Sequence, residues 1–378
     1  MSKILVFTKT NDYNNLPLRS DVYSILTELS KKHEIHIFDN KKSELIYFDQ
    51  CVTKSYKLNL LFSRKLYFIY NYISYLFFLI FNRNKYDYIQ IFYVREEFLV
   101  LPFLLKLKAN KINIFVYGSD FYVRNIIRDN FHRLYNFANV INFTNPILLR
   151  EFNSFYKNRY EKKLFVLDFP FPHLELYKEF KITDKKYSKE QLEIDSDKIV
   201  LSIGTNVNAF EQHEKIIDQI LRLKKPERFH LIFNLSYHGS KPNRCVELQN
   251  VIKSKLVSFK YSIFEGYQTN EFIAKIRLAT DCLINLRETD QLVLSMLESN
   301  LAFSYVITGK WLPYEEYLNR VSASVINNFE ELEEAIEKFV LVRNSHEFEE
   351  TLLHNKNEIT KRFSFEKAIV QWNRLYHN

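Results

Sequence analysis

Residues 199–213 read IVLSIGTNVNAFEQH. The apolar run 199–203 is too short for a helix and suits a strand buried on both faces. Gly204 ends it, and a polar loop leads into a helical pattern over 212–223. Glycine adopts backbone angles that a side chain forbids and lets a ligand approach the main chain. Strand, glycine turn and helix in that order form the unit from which parallel α/β sheets are built. The helix start offers backbone N–H groups and the positive end of a dipole, both suited to a pyrophosphate.

The same unit recurs along the chain. Gly118, Gly204, Gly239, Gly266 and Gly309 are the only five glycines in 378 residues, and each follows a strand-like run. Strands are expected at 3–9, 34–38, 88–93, 112–117, 140–143 and 164–167, with helices at 18–32 and 97–107. The pattern then breaks at DFPFP (168–172), and 181–198 is dense in charge and turn formers, so a linker is expected over 176–198. A second series follows, with strands at 199–203, 230–235, 257–264, 282–286, 304–308 and 323–326. Helices over 212–223, 244–256, 270–279, 291–301 and 329–340 separate them, and the chain reads as helical from about 347. The fold class is α/β, with two doubly wound parallel-sheet domains over 1–175 and 199–360 and a C-terminal helix within 361–378. In open parallel sheets ligands bind at the carboxyl ends of strands, where the glycines fall.

Residues 1–180 carry 26 Lys and Arg against 17 Asp and Glu, whereas 181–378 carry 27 against 28, so the whole excess of +8 lies in the first half. Such asymmetry suits either a solubilising surface or an anionic partner: a membrane surface, a lipid-linked phosphate or a nucleic acid. Cys51, Cys245 and Cys282 are widely spaced and form no CxxC, which argues against a disulfide scaffold and a zinc site. MSKILVFTK (1–9) runs directly into a strand without a signal-peptide pattern, and a cytoplasmic location is expected. LYFIYNYISYLFFLIF (66–81), flanked by Arg64, Lys65, Arg83 and Lys85, falls short of the roughly 20 apolar residues of a spanning helix. It reads as a crossover helix beneath a sheet or as a helix in a membrane interface.

Chemistry is carried first by RETDQLVLSMLE (287–298), which starts at a strand end and enters a helix. Asp290 and Glu298 are eight residues apart, about 12 Å along a helix, enough for one carboxylate to address a sugar and the other a ribose. Asp290 is otherwise an N-cap and Glu298 a solvated side chain. Arg287 and Lys310 can offset charge on a leaving diphosphate or lie on the surface. VYGSD (116–120) places Asp120 on a strand-end loop, as a general base, a sugar positioner or a turn cap. Of the histidines, His213 and His238 lie near the glycine loops, and neither has a partner at metal-ligand spacing. No GxGxxG and no GxxxxGK[ST] occurs, which excludes the dinucleotide fingerprint and the P-loop.

Asp290-x7-Glu298, followed by a short strand and TGKWLPY (308–314), resembles the Glu-x7-Glu region of retaining family 4 glycosyltransferases. SIGTNVNAFEQH (202–213) and LSYHG (235–239) resemble elements of the family 56 fucosamine transferases, and VYGSD resembles the HGxD or WGxD element of GT-B transferases. The resemblance implies a GT-B fold, two Rossmann-like domains facing each other across a cleft. It implies a hexosyl-type glycosyltransferase acting without a metal or other cofactor, in lipopolysaccharide or capsule biosynthesis. Asp120 and Asp290 would be catalytic; Gly204, Thr205, Asn206, His213, Tyr237, Arg287, Glu298, Gly309 and Lys310 would bind the donor, with Glu298 on the ribose. The partners would be a nucleotide sugar and a glycan or lipid-linked acceptor, with peripheral contact at the inner membrane face and no nucleic acid. Asp replaces the first Glu of the motif, which leaves room for a nucleotide-sugar epimerase of the same fold or a non-catalytic partner protein.

Overall fold

Apolar runs become the strands of two all-parallel sheets. The computed structural model describes residues 1–7, 20–38, 67–94, 98, 102–123, 130–169, 171–235, 243–266, 268–290 and 294–376. The first sheet contains β1 (Lys3–Phe7), β2 (Glu34–Phe38), β3 (Tyr86–Phe92), β4 (Ala109–Phe115), β5 (Val140–Phe143) and β6 (Leu164–Val166) in the order β2-β1-β3-β4-β5-β6. The second contains β7 (Ile199–Ile203), β8 (Phe229–Leu235), β9 (Lys260–Glu265), β10 (Cys282–Asn285), β11 (Tyr305–Gly309) and β12 (Ser324–Ile326) in the order β12-β11-β10-β7-β8-β9. The chain divides into two compact units, Met1–Pro172 with Phe363–Asn378, and His173–Arg362.

Alternation along each strand sends neighbours to opposite faces. In the first sheet Leu5, Phe7, Ile89, Ile91, Ile112 and Ile114 join one core with Tyr75, Phe78 and Leu79 of the Tyr67–Phe81 helix. Ile4, Val6, Tyr88 and Phe115 join the other, where the Ser20–Ser30 helix supplies Val22, Ile25, Leu26 and Leu29. The C-terminal helix Phe365–Arg374 covers this second face. Its Trp372 is fully buried, stacks on Phe92 at 5.6 Å and donates from Nε1 to the Asp168 carbonyl at 2.8 Å.

The inner face of the 67–81 helix is therefore the crossover packing expected of it, while Phe77, Ile80 and Phe81 are exposed. Among the described residues no helix is long and apolar enough to cross a membrane. The expected linker over 176–198 is replaced by a helix, Asp184–Gln191, inside the second unit. Its Lys189 is buried and pairs with Asp281 at 2.7 Å, and Lys185 donates to the Thr280 carbonyl at 2.5 Å. Burial lowers the Lys185 ammonium to about 8, against the pull of Asp281. A helix at Pro146–Phe155, not expected from the apolar pattern, starts on an Asn145 side chain that caps the Ile147 N–H at 2.7 Å. Proline at its first position completes a standard N-terminal signal.

Candidate functional site

In the second sheet the chain steps outward through β7, β8 and β9, then crosses back to begin β10 on the other side of β7. The connections after β7 and β10 consequently leave to opposite faces, and a crevice opens between their carboxyl ends. Gly204 sits at that point with φ +63° and donates its N–H to the Ile284 carbonyl of β10 at 3.2 Å. A Cβ there would lie 2.7 Å from His213 Nε2 and 3.1 Å from a Glu211 carboxylate oxygen. Conformation and space both require glycine.

The loop beyond Gly204 folds around Glu211, which is 1% exposed. Its carboxylate accepts from the Thr205 N–H (3.2 Å), Thr205 Oγ1 (2.8 Å) and Asn206 Nδ2 (2.8 Å). Arg287 Nη1 approaches it at 3.2 Å from the loop after β10. Burial pushes the Glu211 carboxyl up, opposed by Arg287 and Thr205. The two loops are also tied by Gln212 Nε2 donating to the Leu286 carbonyl (2.8 Å) and Glu288 N–H donating to the Phe210 carbonyl (2.9 Å). Gln212 takes φ +56° and gives the His213–Ile220 helix no side-chain cap, which leaves first-turn N–H groups for another acceptor.

On the far side of Arg287 stands Asp290. Arg287 Nε is 3.7 Å from Asp290 Oδ2, too long for a hydrogen bond, and this buried donor meets no acceptor among the described residues. Asp290 Oδ2 instead accepts from Tyr314 OH at 3.0 Å, and Asn285 Nδ2 donates to that hydroxyl at 3.3 Å. Burial works against the Arg287 charge, but Glu211 and Asp290 outweigh it and raise the guanidinium further. Burial and the Asp290 charge hold Tyr314 well above a phenol's usual range. The result is one polar chain from Thr205 through Glu211, Arg287 and Asp290 to Tyr314.

Glu298 belongs to a different cluster. It lies on the Leu294–Leu301 helix, where Arg277 Nε approaches Oε2 at 3.2 Å and His173 Nε2 approaches Oε1 at 3.4 Å. Burial pushes this carboxyl up, but the His173 hydrogen bond and the Arg277 charge outweigh it, so it lies below the usual carboxylate range. The solvated side chain allowed for in the sequence is ruled out, since Glu298 is buried.

Several expected donor contacts are built differently. His213 is fully buried beneath Gly204, and both ring nitrogens lack a hydrogen-bond partner among the described residues. Desolvation holds it down to about 4, so it is a neutral support under the loop and not a ligand-facing group. At Gly309 the space a Cβ would need is filled by the Trp311 indole. That ring donates from Nε1 to the Arg287 carbonyl at 2.7 Å and stacks on Phe329 at 5.7 Å. Lys310 is exposed beside it. Thr205 and Asn206 spend their side chains on Glu211, and Tyr237 and His238 lie outside the described residues. Glu211, Arg277, His173 and Tyr314 were not candidates in the sequence. No local spacing marks them, since each gains its charged or hydroxyl partner from a distant element: Arg287 for Glu211, Glu298 for Arg277 and His173, and Asp290 for Tyr314.

In the first unit Asp120 is 4% exposed, and its Oδ2 accepts from the Tyr117 N–H at 3.1 Å and the Val94 N–H at 3.4 Å. It thereby joins the ends of β3 and β4, the capping alternative weighed beside a base. Tyr93, at φ +67°, stacks on Tyr117 at 4.1 Å next to it. Among the described residues no group of three or more His, Cys, Asp or Glu side chains is placed to hold a metal ion.

No protein-family model matches the chain, and no curated protein matches it by sequence. Among solved structures it is similar to HepE from Anabaena in complex with UDP and glucose, at 14% identity and a TM-score of 0.74 over 100% of this chain and 99% of that one. A glycosyltransferase from Rickettsia africae gives 14% identity and 0.75 over 99% and 97%, and sucrose-phosphate synthase from Thermosynechococcus elongatus gives 11% and 0.76 over 100% and 98%. Likeness at this identity speaks for the fold: two parallel α/β units in the order of a GT-B chain.

Proposed function

We propose that this chain is a glycosyltransferase that moves a sugar from a nucleoside-diphosphate donor to a glycan or lipid-linked acceptor in bacterial surface polysaccharide assembly, lipopolysaccharide or capsule. The observation that carries the reading is Arg287 Nε, a buried cationic donor without an acceptor among the described residues, at the switch point between β7 and β10. A diphosphate oxygen supplies the missing acceptor, in a charge-assisted bond stronger than a neutral one. The uncapped start of the His213–Ile220 helix adds backbone N–H groups, and Lys310 adds a second cation, so this chain's own residues meet the leaving charge. Glu298 keeps lone pairs beyond those used by Arg277 and His173, and we assign them to ribose hydroxyls. Asp290 is assigned to the donor sugar, and Asp120 to orienting the acceptor loop. In the reaction the bond from the anomeric carbon to the diphosphate oxygen breaks. An acceptor hydroxyl oxygen bonds to that carbon and gives up its proton, and the nucleoside diphosphate leaves with the electron pair.

HepE is described with UDP and with UDP-glucose, which makes UDP the first nucleotide to try. Melting the chain with UDP, GDP, TDP and CMP identifies the base, and nucleoside diphosphate release is then followed with and without acceptor. Acceptor-dependent release supports the transferase. Epimer formation without release, or binding without turnover, replaces it with the epimerase or non-catalytic readings that Asp290 in a Glu position leaves open.

A further inference from the structure

The helices Tyr67–Phe81 and Pro102–Lys108 touch side by side in the first unit and bury their inner faces through Tyr75, Phe78, Leu79 and Leu105. Their outer faces are apolar as well: Phe77, Ile80, Phe81, Phe103 and Leu107 are 47%, 52%, 69%, 63% and 49% exposed. The Phe77 and Phe81 rings stack on each other at 5.4 Å, one turn apart. A crossover helix needs an apolar stripe on one side only, so packing within the fold does not account for the second.

Both helices end where β3 and β4 begin, the edge opposite the one that carries Asp120. Lys85, Lys106, Lys108 and Lys163 gather there. Their ammonium groups donate to the carbonyls of Leu107 (2.5 Å), Asn110 (3.0 Å), Asn82 (2.5 Å) and Asn136 (2.9 Å). Among the described residues none of the four meets a carboxylate within 4.0 Å. Lys108 and Lys163 are lowered by burial and then by Lys85 and Lys106 respectively, the mark of like charges crowded without a counterion.

We propose that this amino-end edge of the first sheet docks on an anionic lipid bilayer, with the five apolar side chains entering the acyl boundary and the four lysines under the headgroup phosphates. Apolar side chains bordered by bases are what an interfacial surface requires. A second copy is a poor occupant, because a twofold contact would set the same lysines against one another. Nucleic acid would leave Ile80 and Leu107 without a partner. The inference rests on the lipid-linked acceptor of the proposed function and holds the enzyme at the surface that carries that acceptor.

The test is sedimentation of the full chain with vesicles of phosphatidylcholine alone and of phosphatidylcholine mixed with phosphatidylglycerol, with the UDP-induced melting shift read on the same samples. The chain binds the mixed vesicles, binds neutral ones weakly, and is released by salt. Phe81→Asp with Phe103→Asp, and separately Lys85→Gln with Lys106→Gln, each lower the partition coefficient roughly tenfold or more. Lys253→Gln, on the Asn243–Lys255 helix of the second unit, leaves it unchanged. The glutamine pair keeps hydrogen-bond donors in place, so a loss there is not a loss of fold. Equal binding to both vesicle types, unchanged partition in both double variants, or a dimer that these variants dissociate overturns the proposal. Absent vesicle binding with an intact UDP shift defeats docking alone; vesicle binding with no nucleotide response defeats the transferase reading alone.

Discussion

Arg287 and Arg277 each meet a carboxylate at 3.2 Å in the second unit, and each keeps a buried donor without an acceptor among the described residues. Their surroundings differ. Arg277 is sealed, with 3% of its side chain exposed, and Glu298 is held from the other side by His173. Arg287 is 17% exposed, on a loop at the switch point, between Glu211 and an Asp290 that is itself 20% exposed. The guanidinium of a sealed pair mainly holds helices in register and leaves only its carboxylate, 10% exposed at Glu298, to meet a ligand, whereas a partly open one with a spare donor can exchange protein for ligand. Chemistry is therefore expected to follow Arg287, and stability Arg277.

The largest effect that sharpens this contrast is at Glu298. Glu298→Ala leaves Arg277 buried and uncompensated and costs about 3–5 kcal/mol, read by denaturant unfolding of the second unit. A cost near zero would move Glu298 out of the sealed cluster and into a purely ligand-binding role. His213 comes next. Its folded value of about 4 lies below the usual 6.5, so its contribution is complete above pH 6.5 and is lost as pH falls through 4. The full swing is about 3 kcal/mol. His213→Leu flattens that acid limb of the pH–stability curve, leaving the part due to His230, also lowered to about 4 by burial.

Gly204→Ala forces a side chain into the left-handed region and against His213, at a cost of about 2 kcal/mol, and removes the nucleotide-induced melting shift. The smallest stability effect is at Asp290. Asp290→Asn stays within about 1 kcal/mol, as partly exposed pairs do, yet transfer falls about a hundredfold or more. Equal losses of stability at Asp290 and Glu298 would erase the distinction between the two clusters.

The strand framework was legible because parallel strands buried on both faces leave mostly apolar runs, as in Ile199–Ile203 and Phe229–Leu235. Gly204 was legible too, because the turn tolerates nothing else. Glu211 was not: a lone acid in a loop gains meaning only when Arg287, far away in sequence, folds against it. Arg277 reads as an ordinary polar position on a helix, and His173, the other partner of Glu298, lies in a different part of the chain. The Asp184–Gln191 helix was hidden by its charge, since Lys189 becomes a core residue only once Asp281 is beside it. Trp311 conceals what Gly309 is for, as the glycine makes room for an indole of its own chain.

Hydrogen–deuterium exchange of the chain with and without UDP, GDP, TDP and CMP in turn tests the switch-point assignment most directly. At least one nucleotide is expected to slow exchange over 204–215 and 286–290 together, with the effect lost in Arg287→Gln. Protection confined to other segments, or none from any of the four, would contradict a nucleotide site at the ends of β7 and β10.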